Sequence, residues 1–146
     1  MYDKVWHKEE ISTKRFLVTG GAGFIGSHLV EYLLKHGAKE VRVLDDLSTG
    51  FISNMNSFME NSSFSFITGS VVDLAICKKA CEGIDYVLHH AALGSVPRSI
   101  DNPIATHEVN ANGFLNMLVA ARDAKVKRFI YASSSSVYGD NTDSPK

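Results

Sequence analysis

Three glycines at intervals of three, Gly20, Gly23 and Gly26, stand between an apolar run and an amphipathic helical pattern. The run Arg15-Phe16-Leu17-Val18-Thr19 reads as a buried strand. Residues 24–36 read as a helix with Ile25, Leu29, Leu33 and Leu34 on its inner face, ended by Gly37. Glycines at this spacing meet three needs of a strand-to-helix turn. The turn must be tight, the helix must pack closely on the strand, and the backbone must come near an outside group. The amides that open the helix face that group, which suits an anion such as a pyrophosphate. A glycine triplet alone is weak; its place between strand and helix gives it weight.

The rest of the chain repeats the same rhythm. Residues 41–45, 64–68, 85–89 and 127–132 read as further strands, and residues 74–82 as a short helix. Asn102-Pro103 reads as a capped helix start, with the helix running to about Asp123. Residues 48–63 are Asn/Ser-rich and weakly periodic, a loop with a short helical turn. Strands alternating with helices predict an α/β fold: a Rossmann-type, doubly wound parallel sheet covered on both faces, with ligands at the carboxyl ends of its strands.

An acid is expected about 20 residues beyond the first glycine, at the end of the second strand. Asp45 stands there, 25 residues after Gly20. Its carboxylate suits the two ribose hydroxyls of an adenosine and repels a 2′-phosphate, which favours NAD over NADP. Asp46 is its neighbour, although adjacent strand-end side chains usually diverge. On this reading Asp45→Ala weakens NAD binding and leaves folding nearly intact.

A chain of 146 residues supports one compact domain. Residues 1–14 form a polar arm and residues 15–146 the dinucleotide-binding domain. With a net charge of −1 and interspersed signs, nothing favours nucleic acid or a membrane surface. Neither a signal peptide nor a bilayer-length apolar run is visible, so the expected compartment is the cytoplasm. Cys77 and Cys81, four apart on a helical pattern, are poorly placed for a disulfide and read as packing residues; no metal site is expected. His89 and His90 point to opposite faces of a strand, so they cannot easily share a metal, and one reads as a hydrogen-bonded core histidine.

The glycine spacing resembles the short-chain dehydrogenase/reductase superfamily. Three segments narrow this to its extended, NAD-dependent epimerase/dehydratase members: Val87-Leu88-His89-His90-Ala91-Ala92, Asn110-Ala111-Asn112-Gly113 and Ser133-Ser134-Ser135-Ser136-Val137-Tyr138-Gly139. The stretches Ala91 through Ser99 and Gly113 through Leu118 are similar to bacterial UDP-N-acetylglucosamine (hexosamine or hexuronate) C4-epimerases of surface-polysaccharide pathways. The resemblance implies NAD held by Gly20, Gly23, Phe24, Ile25, Gly26, Asp45, Asp46, Ser70, Val71, Ala91, Ala92 and Leu93. It implies a UDP-sugar substrate near Ser95, Ser135 and Ser136. Ser134 would be the catalytic hydrogen-bonding serine, assisting proton transfer at the reacting oxygen. Arg98 is read evenly as a substrate contact or a solvated loop residue, and Asn110 as a structural hydrogen-bonding group. In such enzymes a tyrosinate takes the proton of the sugar 4-hydroxyl, hydride leaves C4, and the 4-keto sugar turns before hydride returns to its other face. Members are often homodimers through helices that include residues 102–123.

Two positions depart from the pattern. Ser70 stands in Gly69-Ser70-Val71, where the resemblance implies an acid that meets the adenine amine; Asp73 compensates only if its loop bends. The catalytic Tyr-x-x-x-Lys pair is also missing: Trp6, His36, His90, Ser135 and Thr142 stand four residues beyond the five tyrosines. The expected architecture is therefore a sheet truncated before the sixth strand and the substrate domain, inactive on its own. A non-catalytic NAD-binding module stays open beside the epimerase reading. A nucleotide-sugar 4,6-dehydratase or reductase is disfavoured by Ser135 and Ser136, where dehydratases carry Asp-Glu.

Overall fold

A computed structural model describes residues 2–140. Five parallel strands form one sheet: β1 (Arg15–Thr19), β2 (Glu40–Asp45), β3 (Phe64–Thr68), β4 (Tyr86–His89) and β5 (Arg128–Tyr131), in the order β3-β2-β1-β4-β5. Phe16 of β1 is in register with Val41 of β2 on one side and Tyr86 of β4 on the other. The chain winds outward from β1 to β3, then crosses back to β4 and winds the other way. The winding reverses between β1 and β4, so the connections leaving these strands diverge and open a crevice at their carboxyl ends.

Alternate strand residues feed two cores, one on each face. Phe16, Val18, Val41 and Val43 pack with Val30 and Leu33 of α1 (Phe24–Lys35), with Met55 and Phe58, and with Ile11 from the N-terminal arm. Leu17, Leu44 and Val87 point the other way. They pack on Cys77, Ala80 and Cys81 of α2 (Leu74–Cys81) and on Met117, Ala120 and Ala121 of α5 (Phe114–Asp123). The arm is also tied to α1, through Trp6 N donating to the Tyr32 hydroxyl at 2.8 Å and a Lys35–Asp3 ion pair at 2.7 Å.

The buried face of α1 is Gly26, Ser27, Val30 and Leu33, one step round from the face read off the sequence. Ile25 is 60% exposed and Leu29 half-buried. The first turn of α1 overhangs the end of β1, so Ile25 meets the crevice instead of the core. Gly37 ends the helix as expected, with a φ of +77°.

Residues 102–123 do not form one uniform helix. Asn102 caps α4 (Pro103–His107), its Oδ1 accepting from Ala105 N at 3.1 Å, and a π-helical turn, Glu108–Gly113, leads into α5. The wider turn brings Gly113 against the loop after β3, where a Cβ would stand 2.6 Å from Val71 Cγ2. A helix absent from the sequence reading, α3 (Val96–Asp101), is capped by Ser95 and has no buried residue, hence no apolar periodicity to betray it.

Cys77 and Cys81 are fully buried, free thiols; burial pushes the first up to about 12 and the second to about 11. Neither forms thiolate near neutral pH, and thiolate is the reactive species. A chromogenic thiol reagent at about pH 8 is expected to leave the native protein unlabelled and to titrate both cysteines after unfolding in guanidinium. Prompt native-state labelling of either would contradict this packing.

Candidate functional site

The crevice holds a cavity of about 290 Å³ over the carboxyl ends of the strands. The glycine turn is its floor. Gly20 has a φ of +70°, and a Cβ there would stand 2.8 Å from Ala91 N of the loop after β4. A Cβ on Gly26 would collide with the Gly20 carbonyl oxygen. Among the described residues no side chain caps α1, and no acid stands in its first turn, so its opening amides and dipole are left for an anion. Phe24, 78% exposed, and Ile25 form the lip. The floor thus fits a pyrophosphate by backbone alone.

Asp45 ends β2 at the cavity wall. Its Oδ2 accepts from Ala22 N at 2.9 Å, and its Oδ1 from Leu47 N at 2.8 Å. The carboxylate therefore braces the glycine turn as well as facing the cavity, so its removal is expected to cost stability, contrary to the reading from sequence. Asp46 lines the same cavity, because the chain turns as β2 ends and the alternation of a strand no longer applies. Burial alone would push the Asp46 carboxyl up, but hydrogen bonds from Ser48 and Ser70 outweigh it and hold the group below its ordinary range.

Ser48, Thr49 and Gly50 complete this wall, and the sequence reading missed them inside a loop that looked featureless. Phe51 N and Asn54 Nδ2 both donate to Ala22 O, at 3.0 and 2.8 Å, locking the loop onto the glycine turn. The available signal was Ser-Thr-Gly one residue beyond an acid pair. Gly50 lies so close to Ala22 that a Cβ would stand 2.8 Å from its Cβ.

Gly69 and Val71 form the side wall, while Ser70 between them stands outside the lining residues. Asp73 does not take its place; its Oδ1 caps α2, accepting from Ala75 N at 2.8 Å and Ile76 N at 3.2 Å.

Ala91, Ala92 and Leu93 form the opposite wall, with Val109 from the π turn. Asn110 clasps Leu93, accepting from its N at 2.8 Å and donating to its O at 3.0 Å, the structural bonding expected of it. Below them the Thr19 hydroxyl accepts from His90 N and Ala91 N, both at 3.2 Å. With its lone pairs taken, its proton goes to His89 Nδ1 at 2.8 Å, which puts the imidazole proton on Nε2. His89 is buried; desolvation, aided by His90, pushes it down to about 4. Burial lowers His90 as well, and its Nδ1 is buried with no hydrogen-bond partner among the described residues.

A second cavity, about 480 Å³, adjoins the first. The two share His90, Ala91, Ala92, Leu93 and Ala132, and the second adds Tyr131, Ser133 and Ser134. Ser95 stands apart as the cap of α3, its Oγ accepting from Arg98 N at 3.3 Å. The backbone of Ser135 and Ser136 opens a 3₁₀ turn, Ser135–Tyr138; their side chains, with Thr142 and Lys146, lie outside the described residues. Among the described residues no three His, Cys, Asp or Glu side chains gather as a metal site, and no helix is long and apolar enough to cross a membrane.

Residues 16–146 match the profile of the NAD dependent epimerase/dehydratase family. UDP-glucuronic acid decarboxylase 1 of Danio rerio is 38% identical over 139 residues, 95% of this chain and 32% of the relative. UDP-glucose 4-epimerase of Lactobacillus helveticus is 38% identical over 127 residues, 86% of this chain and 37% of the relative. The chain thus spans about a third of the length of these curated relatives. Among solved structures, UDP-N-acetylglucosamine 4-epimerase from Methanobrevibacter ruminantium, in complex with UDP-N-acetylmuramic acid, superposes with a TM-score of 0.84 at 36% identity, over 92% of this chain and 42% of its own. The dTDP-glucose 4,6-dehydratase DesIV from Streptomyces venezuelae, with NAD bound, gives 0.83 at 37% identity, over 88% of this chain and 42% of its own.

Two outcomes follow from the buried groups. His89 binds its proton less readily folded than unfolded, where its ordinary value is 6.5, so its contribution to stability is complete above that pH and is lost as pH falls toward about 4. Urea unfolding at stepped pH is expected to show this slope, and His89→Gln to flatten it. Asp45→Ala is expected to cost about 1–3 kcal/mol of stability through the orphaned Ala22 amide, and Asp45→Asn less; equal unfolding midpoints for all three proteins would exclude the bracing role.

Proposed function

This chain belongs to the NAD-dependent epimerase/dehydratase family, and on that premise we propose that it is the NAD-binding portion of a nucleotide-sugar epimerase acting at C4 of UDP-N-acetylglucosamine or another UDP-hexose. The observation that carries this reading is the shared wall of the two cavities. A dinucleotide lying along His90–Leu93 leads from the glycine turn directly to Ser133 and Ser134.

In this reading residues 15–146 are the cofactor domain and residues 1–14 an arm packed on it. The amides of the Gly20–Gly26 turn take the pyrophosphate. Asp45, with Asp46 beside it, takes the ribose hydroxyls. Val71 edges the adenine, and Ser70, outside the cavity lining, acts there through its hydrogen bond to Asp46. Ala91, Ala92 and Leu93 allow close approach at the nicotinamide end. NAD, when bound, supplies a ring that accepts a hydride and returns it. Ser134 holds the sugar oxygen whose proton moves, and Ser95, Ser135 and Ser136 meet the substrate.

The Ser-Ser pair at 135 and 136 supports epimerase chemistry over dehydration. The apolar outer face of residues 102–123, where Ile104 is 75% and Leu115 58% exposed, supports a homodimer. Since no tyrosine of the 146 residues has lysine four positions on, this segment is expected to bind NAD without turnover.

Calorimetric titration of the chain tests the cofactor: NAD is expected to bind more tightly than NADP, and the reverse order would remove the reading. In the protein that carries this segment together with a Tyr-x-x-x-Lys helix, UDP-N-acetylglucosamine is expected to equilibrate with its C4 epimer. There Ser134→Ala is expected to lower turnover by about 10²–10⁴ while NAD affinity holds. A 4-keto-6-deoxy product would favour the dehydratase, and no turnover of any UDP-sugar would favour a non-catalytic NAD-binding module.

A further inference from the structure

Asn116, in α5, reaches out of its helix to the loop after β3. Its Nδ2 donates to two successive carbonyls, Val71 O at 3.2 Å and Val72 O at 2.8 Å. Gly113, one turn earlier, is the point where the helix presses on Val71 Cγ2. Val71 is only 4% exposed, yet it lines the cavity, so its side chain is wedged between the helix and the ligand space. The loop is tied at its two ends, by Gly69 N to Asp45 O at 3.0 Å and by Asp73 capping α2, and its middle is held by weaker bonds. Cys77 Sγ donates to Val71 O at 3.2 Å, and Val72 N reaches Ser70 Oγ at 3.5 Å, the edge of hydrogen-bond range.

This loop stands on one half of the cavity. Gly69 N donates to Asp45 O at 3.0 Å, so the loop begins where the ribose-facing acid ends. The glycine turn is over β1, Asp45 and the loop are over β2 and β3, and the wall leading to Ser134 is over β4 and β5. A dinucleotide whose pyrophosphate sits on the glycine turn therefore has its adenosine beside Val71. The π turn gives one helix a grip on both sides. Asn110 holds the Leu93 wall before it, and Asn116 holds the Val71 wall after it.

We propose that Asn116 is a positioning residue for the adenylate half of the dinucleotide, acting through the two carbonyls that fix the Val71 turn. The proposal rests on the NAD-binding reading. Without the two bonds, Val71 is pressed by Gly113 from behind and is held from the side by the Cys77 thiol alone, and the adenosine wall moves into the space it bounds.

The test is calorimetric titration of the chain and its Asn116→Ala and Asn116→Asp variants with NAD, AMP and nicotinamide mononucleotide. Asp keeps the size of Asn but cannot donate, and it stands in should the Ala variant fail to fold. The expected result is an affinity for AMP and NAD about tenfold weaker, with nicotinamide mononucleotide unchanged; tenfold corresponds to about 1.4 kcal/mol. Asn116→Gln, which restores the amide donor, is expected to recover part of the loss. A role in stability alone would lower the unfolding temperature and leave the ratio of AMP to nicotinamide mononucleotide affinity where it was. That result, or an equal loss for both mononucleotides, overturns the proposal while NAD binding stands. Failure of the unaltered chain to bind NAD overturns the cofactor reading and this proposal with it.

Discussion

The contact between the glycine turn and its neighbours sets the geometry of everything above the sheet. α1 lies so close to the end of β1 that Gly26 has no room for a side chain over the Gly20 carbonyl, and Gly20 has none against the loop after β4. That closeness does two things at once. It brings the opening amides of α1 to the crevice where the winding reverses, and it lets the β4 loop share a wall with the cavity. The surrounding groups then fasten the turn in place. Asp45 receives the Ala22 amide, the Ala22 carbonyl receives Phe51 and Asn54, and Thr19 receives the first two amides beyond β4. The cavity floor and walls are thus braced mainly by hydrogen bonds to backbone, where a buried amide left unpaired costs about 1–3 kcal/mol.

Among the described residues, no cationic side chain lines the first cavity. Among the described residues the charged side chains lining the first cavity are Asp45 and Asp46, and the partial positive charge comes from the α1 dipole and its free amides. That distribution suits a diphosphate at the floor and disfavours a phosphate on a ribose at the wall. Both histidines of the β4 end are held toward their neutral forms by burial, so they add no competing charge.

The π turn is the least regular piece of the fold and connects its two halves. It opens the helix enough to seat Gly113 on Val71, to aim Asn110 at Leu93 and to place Val109 in the cavity wall. Its irregularity follows from these contacts, since a uniform α-helix would rotate one set away as it presented the other.

By itself the sequence determined what repeats locally. The strands of alternating cores, the caps at Asn102 and Gly37, and the three glycines are each legible because their physical cause lies within a few residues. The acid at Asp45 was legible because strand length fixes where a strand ends. Tertiary structure decided what depends on distant partners. Ile25 faces the crevice because α1 overhangs β1, which no helical periodicity can report. Ser48, Thr49 and Gly50 become cavity wall only because Ala22 receives Phe51 and Asn54. The helix at 96–101 buries nothing and so leaves no apolar pattern. The double duty of Asp45 and the grip of Asn116 on Val71 join residues 23 and 45 positions apart, and only folding brings such partners within hydrogen-bond reach.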